Sequence, residues 1–463
     1  MPEPKDPLGF TYYLMLLMVG VGLLLPWNTF ITAVDLFTHL YPGINMEFLF
    51  AIFYNAPNFV ILMVMIKWGH KVPYTIGIIV PLAISTVILV IVPIQALLLP
   101  MYASLGLTLL CVSITGTSTG ILFAATFGMA ALFPGRYTQS LMSGIGVAGI
   151  IVAAIRILTK LALPANTEGL IISSLIYFAI AAFVVLIAIL CFFIFRYSPY
   201  ARYYFRRAAR TVEYDESEIL YNDSNNNDPD NKETAPLRPK DDNDPIDVII
   251  TDAEKGIPQD SDVIVKSTPP DAGDALLESN NESGEPKAKI LSVLAQLWPQ
   301  ALNVFMVFLV TLALFPSVVT IIPSTWNMPS WFPILIVTLF MIFDFVGRTL
   351  PRWQLFVVVS PKWLWALVWS RLIFFPLFIL CVRPKLFMAD GWAYGFMVIF
   401  ALSNGYAGSL AMMYGPNCVQ NHEKALGGSI MAYFLNMGVL FGSFVAAPVL
   451  GFIHLMPDLT FTW

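Results

Sequence analysis

The chain has 463 residues, of which 57% are hydrophobic and only 12% charged, and its mean hydropathy is +0.74. Soluble domains carry about 25% charged residues, so these figures exclude a water-soluble globular protein and require one that crosses a membrane repeatedly. The net charge of −5 describes neither part well, because about two thirds of the acidic residues fall in one polar segment and leave the remainder basic.

The N-terminus, MPEPKDPLGF, has no basic stretch or small-residue cleavage site, and the apolar run behind it is too long for a signal peptide. A retained first span is expected. Apolar runs of bilayer length must be helical, since the backbone has no partner in lipid. Eleven such runs predict helices near 10–34, 47–67, 73–98, 102–133, 139–163, 169–196, 296–322, 329–350, 361–382, 391–414 and 425–453. Three parts follow: an N-terminal bundle over 1–196, a polar loop over 197–295 and a C-terminal bundle over 296–463.

Span one contains LLLPWNTFITAVD, with Pro26, Trp27 and Asn28 side by side. Proline removes a helical hydrogen bond and hydrocarbon penalises the amide, so this stretch should face protein or a cavity. Asn28 is expected to brace a neighbouring helix. In span two, FYNAPNFV sets Asn55 and Asn58 three apart on one face around Pro57; helix–helix hydrogen bonding and ligand contact are both open. The small residues of SITGTSTGILFAATFGMA and MSGIGVAG predict close packing of spans four and five. Arg156 and Arg371 lie within spans, where internal structural pairing is expected, while Lys160 can snorkel.

The loop, rich in Asp, Asn and Pro as in YNDSNNNDPDNKETAPLRPKDDND, is expected to be disordered. The basic run 202–210 ahead of it reads as a topology signal, with anionic lipid headgroups as the alternative partner. Lys and Arg counted near span ends place the N-terminus and loop in the cytoplasm and the C-terminus outside or lumenal. The plasma membrane is the expected location.

Span eight carries MIFDFVGRTLPRW, whose Asp344 and Arg348 are one turn apart on a shared face. A carboxylate accepts from two hydroxyls while a guanidinium donates to the same oxygens, which suits a sugar ring; a structural ion pair is the alternative. Enzyme signatures are missing: NHEKA has no second histidine one turn on, there is no Walker A sequence, and the four cysteines lack metal spacing. Neither catalytic residues nor a cofactor, metal or nucleic-acid partner is expected.

The sequence resembles the equilibrative nucleoside transporters through LLPWNTFITA, RYTQSLMSGIGVAG, YARYY, FDFVGRTL, SRLIFFPLFILC, SNGYAGSLAMMYGP and GGSIMAYFLNMG, in order along every span. The resemblance implies an all-α, eleven-helix membrane fold in a 6+5 arrangement, related to the major facilitator type. Nucleosides would bind between two bundles and cross by alternating access. It further implies Trp27 and Leu24 beside the nucleobase and Asp344 with Arg348 on the ribose. Gate positions would be Ile31, Phe315, Pro316 and, at the inner end, Glu423. Departures fall at Phe123, where human members have a glutamine, at Asn55 and Asn58, which replace methionine and leucine of the base pocket, and at Met341, which replaces an outer-gate asparagine. Base recognition is therefore expected to shift toward span two. A branch that carries organic cations has a glutamate where this chain has Ile145, so neutral nucleosides, with nucleobases as additional cargo, are expected. Proton coupling, for which Asp35 and Glu423 are candidate groups, is the alternative to facilitated diffusion. A nucleoside receptor is the reading from a different class.

Overall fold

The computed structural model describes residues 9–44, 46–164, 166–208, 286–325, 331–353, 361–383, 386–387 and 389–455. Eleven helical stretches among them are long and apolar enough to cross a membrane. In chain order, spans 1 to 6 are Gly9–Leu40, Phe48–Lys71, Tyr74–Leu98, Met101–Ala130, Gly135–Ala162 and Thr167–Arg196. Spans 7 to 11 are Ile290–Ile321, Phe332–Arg352, Lys362–Val382, Asp390–Cys418 and Asn421–Ile453. Most of the acidic segment, with its Asn-X-Ser sequences at Asn222 and Asn281, lies outside the described residues.

Three spans are interrupted, span 7 where its helix Pro286–Leu314 gives way through a turn over 315–318 to a 3-10 turn at Val319–Ile321. Span 1 turns at Ala33, where Gly9–Thr32 gives way to a short helix Val34–Leu40. Span 9 divides into Pro361–Ser370 and Phe374–Val382 around a 3-10 turn at Arg371–Ile373. Pro26 sits inside the first helix, and one and two turns along Thr29 and Thr32 donate to the carbonyls of Leu25 and Asn28 at 2.8 and 2.7 Å. Hydroxyls satisfying local carbonyls are how irregular helix is tolerated at membrane depth.

Both edges of the expected loop are helical. Residues 199–208 form a further helix, and the helix of span 7 begins at Pro286. Tyr200, Ala201, Tyr204 and Phe205 share one buried face of the 199–208 helix. Tyr200 stacks on Tyr12, and Tyr204 and Phe205 pack tilted and edge-on against Phe133, with ring centroids 5.2–5.5 Å apart. The arginines of this stretch hide its aromatic stripe from a composition-based reading.

Span 1 packs against spans 5 and 6, span 3 against 4 and 6, and span 2 against 4. Span 7 packs against 10 and 11, span 8 against 10, and both pieces of span 9 against span 10. The two sets meet where span 5 touches spans 8 and 10, and where span 11 touches spans 2 and 4. The molecule therefore has two ends. One, the basic end, brings together Arg136 with Tyr200, Arg352 with Phe10 and Tyr13, and Gly135 with Met413. At the other end Arg156 meets Asp35, and Ser324 and Thr325 are held by Asp390.

Span 5 fits between spans 1 and 8 because its glycines face both ways. A Cβ on Gly144 would lie 2.0 Å from the Leu17 carbonyl oxygen of span 1, and one on Gly146 would lie 3.1 Å from Phe345 Cα and Arg348 Cδ of span 8. Close backbone approach through small residues is the general way membrane helices associate.

Candidate functional site

Span 8 supplies the centre of the site. Asp344 and Arg348 are each 4% exposed, and Arg348 Nε donates to Asp344 Oδ2 at 2.6 Å. Asn404 Nδ2 of span 10 donates to the other oxygen, Oδ1, at 2.7 Å. Glycine makes this approach possible: a Cβ on Gly347 would lie 2.2 Å from the Leu402 carbonyl oxygen, and one on Gly405 would lie 2.0 Å from that of Asp344. Charge-assisted bonds of this length are among the stronger polar contacts in proteins.

Arg348 also joins the two sets of spans. Its guanidinium lies over the Phe308 ring of span 7, 5.8 Å from the centroid, and its Nη1 is 3.8 Å from Met142 Sδ of span 5. Gln139 and Ser143 of span 5 donate to its carbonyl oxygen at 2.8 and 3.3 Å. The carboxylate–guanidinium pair thus stands beside the seam between the sets rather than inside one of them.

Trp27 is half-buried and stacks on Tyr54 of span 2, with centroids 4.0 Å apart and planes at 15°. One ring face is therefore taken by Tyr54, a neighbour that the sequence does not single out. Leu24 is half-buried one turn earlier. The helix-bracing bond expected of Asn28 does not form: its side chain is half-buried and pairs with none of the described residues. Asn55 Nδ2 returns to the Ala51 carbonyl of its own helix at 2.9 Å. Asn58 is buried and donates to Asn436 Oδ1 of span 11 at 3.1 Å, leaving its own Oδ1 buried without a hydrogen bond. Phe123 is buried, with its ring stacked 5.9 Å from Phe127.

The positions expected at the gates divide by end. Ile31 is 45% exposed and Pro316 is exposed, while Phe315 is buried and stacked on Phe340 at 4.0 Å. Met341 packs against span 5, its Sδ 2.4 Å from where a Cβ on Gly149 would sit. At the basic end the two sets are in contact: Ser429 of span 11 donates to the Ala124 carbonyl of span 4 at 3.0 Å. Glu423 is 8% exposed there. Its Oε1 is 4.0 Å from His422 Nε2, and its Oε2 is buried without a hydrogen bond.

The two in-span arginines behave differently. Arg156 pairs with Asp35 at 3.2 Å, in a partly exposed bridge. Arg371 pairs with no carboxylate of the described residues and instead donates to neutral oxygens of spans 7 and 10.

Eleven apolar helical stretches, with spans 5 and 11 bridging the N- and C-terminal spans and a buried charge pair where span 8 meets spans 5 and 10, are the architecture of a multi-pass membrane transporter. The structural comparisons agree on the fold. The chain is similar to the E. coli fucose:proton symporter FucP (TM-score 0.55, 14% identity, covering 97% of this chain and 92% of that one). It is similarly related to the proton:xylose symporter XylE (TM-score 0.55, 12% identity, covering 97% and 96%). Both are major facilitator transporters, and at these identities the likeness is one of fold.

The family profile described as "Nucleoside transporter" matches residues 109–449, so the chain belongs to the nucleoside transporter family. It is 28% identical over 477 residues to human "Equilibrative nucleoside transporter 2", covering 95% of this chain and 96% of that protein. It is 25% identical over 450 residues to "Equilibrative nucleotide transporter 1" of Arabidopsis thaliana, covering 96% and 86%.

Proposed function

We propose that this protein carries nucleosides across a membrane by alternating access and facilitated diffusion, without catalysing a reaction or using a cofactor. The observation that carries this reading is the Asp344–Arg348 pair, buried at the seam of a family member and held from both sides. Each carboxylate oxygen accepts one protein donor and keeps lone-pair capacity for a sugar hydroxyl. In this reading the face of Trp27 away from Tyr54 is an apolar platform for the base, Leu24 lies one turn earlier beside it, and the Asn28 amide offers polar contact. On the same reading Asn55, Asn58 and Phe123 are the base-side positions, with Asn58 spending its amide donor on Asn436.

Contact between spans 4 and 11 joins the sets at the basic end, while at the other end Ile31 and Pro316 are exposed and Lys160 of span 5 lies over the Trp331 ring ahead of span 8, 4.6 Å from its centroid. With the basic end cytoplasmic, the reading is of a plasma-membrane protein whose loop is cytoplasmic and whose C-terminus is outside. Ile31, Phe315, Pro316 and Met341 then form the outer gate and Glu423 part of the inner one. Organic cations fit poorly, because the buried cluster holds the two guanidiniums of Arg348 and Arg371 against the single carboxylate of Asp344.

Uptake of labelled uridine by proteoliposomes tests the reading. Uridine is expected to equilibrate without accumulating, at a rate insensitive to an imposed pH gradient; accumulation driven by the gradient would make the protein a proton symporter, and binding without uptake a receptor. In the same assay Trp27→Ala is expected to raise the apparent KM roughly tenfold, the order of one lost base–aromatic stack. An unchanged KM would remove Trp27 from the site.

A further inference from the structure

Arg371 is the most thoroughly buried charged side chain of the described residues, 1% exposed, at the break in span 9. Its guanidinium lies over the Phe400 ring, 4.7 Å from the centroid. Nη1 donates to the Phe400 carbonyl at 2.8 Å and to Ser403 Oγ. Nη2 donates to Thr311 Oγ1 at 2.8 Å and lies 3.5 Å from Asn404 Oδ1. Thr311 Oγ1 is 2.6 Å from that same Asn404 oxygen, and Asn404 Nδ2 completes the line to Asp344 Oδ1 at 2.7 Å. Spans 9, 7, 10 and 8 each contribute one link.

The chemistry gives this line a single direction. An arginine can only donate, so Thr311 Oγ1 accepts from it. The amide oxygen of Asn404 cannot donate, so the short Thr311–Asn404 contact uses the hydroxyl proton of Thr311, for which the Val307 carbonyl at 2.8 Å is the longer, competing acceptor. With Oδ1 committed to Thr311 and Arg371, the Asn404 amide must turn its NH2 toward Asp344. Were the amide reversed, its oxygen would face a carboxylate oxygen and its NH2 would face the Arg371 guanidinium. We infer that Arg371 is a positioning residue for the sugar site: through Thr311 it fixes the Asn404 amide, and through Asn404 it fixes how Asp344 presents its two oxygens.

This inference rests on the reading of Asp344 as the ribose acceptor, and the test separates the two. Unlabelled uridine and 2′,3′-dideoxyuridine are competed against labelled uridine uptake in proteoliposomes. The wild type is expected to prefer uridine by at least about tenfold, a modest expectation for hydroxyls bonded to charged groups. Arg371→Met and Thr311→Val are each expected to cut that preference to about threefold or less, while Arg371→Lys, which keeps a charged donor, retains more of it. Combining Arg371→Met with Thr311→Val should add little, because both break one line. Should Arg371→Met fail to fold, Thr311→Val, nearly unchanged in shape, decides alone. A lowered maximal rate with the preference intact would mean a purely structural role and overturn the inference. If Asp344→Asn also left the preference intact, the sugar reading itself would fall; if it abolished the preference while Thr311→Val did not, the relay alone would fall.

Discussion

Asp344→Asn is expected to lower uridine uptake by roughly 100-fold per molecule in the membrane, a loss of about 2.7 kcal/mol. The substitution keeps the size of the side chain but removes its charge, and three consequences coincide. Arg348, 4% exposed, loses its counter-charge, and stranding one partner of a buried pair costs roughly 3–5 kcal/mol. The Asn404 NH2 would meet another amide in place of the oxygen it now reaches at 2.7 Å. Sugar hydroxyls would lose charge-assisted acceptors. Uptake normalised to the protein present in the vesicles separates a site defect from loss of protein. Uptake within threefold of wild type would show that Asp344 is not the acceptor.

Gly428→Ala is the second substitution with a large expected effect, and it acts at a distance from the site. A Cβ at Gly428 would lie 2.3 Å from the Phe127 carbonyl oxygen and 2.9 Å from Ala131 Cβ. The first neighbour is backbone and cannot rotate away. Spans 11 and 4 belong to different sets, so the added methyl pushes the sets apart at the basic end, where Ser429 joins them to Ala124. A transporter that cannot close one end cannot complete its cycle, and the maximal uptake rate is expected to fall at least about tenfold, equivalent to about 1.4 kcal/mol on the closing step. Gly106→Ala, where a Cβ meets nothing within 4 Å, is the control and is expected to transport normally. Normal transport by Gly428→Ala would show that this contact does not gate the cycle.

Much of the fold is legible in the sequence because hydrocarbon is an exacting solvent. It demands helices of bilayer length, and the eleven apolar runs meet eleven helical stretches to within a few residues. The Asp344–Arg348 pair is legible for a related reason: charges in an apolar run are conspicuous, and a spacing of four sets them on one face. What surrounds the pair is not legible. Asn404, Thr311 and Arg371 come from three other spans, and no spacing along the chain says that an asparagine of span 10 will meet the carboxylate of span 8. The stacking of Tyr54 on Trp27 and the bond from Asn58 to Asn436 are hidden in the same way. Asn28 shows the converse, an amide that looks like a brace but makes no side-chain hydrogen bond among the described residues. The helix over 199–208 was masked by its own charge, since its arginines belong to one face and its aromatic rings to the other.

The central claim is that sugar hydroxyls are held by Asp344 and Arg348 at the seam between the two sets of spans. It is tested most directly by competing uridine and 2′,3′-dideoxyuridine against labelled uridine in proteoliposomes, using the wild type and Asp344→Asn in parallel. The account predicts that the wild type prefers uridine by at least about tenfold and that the preference disappears with the carboxylate. Equal potency of the two nucleosides against the wild type would contradict it.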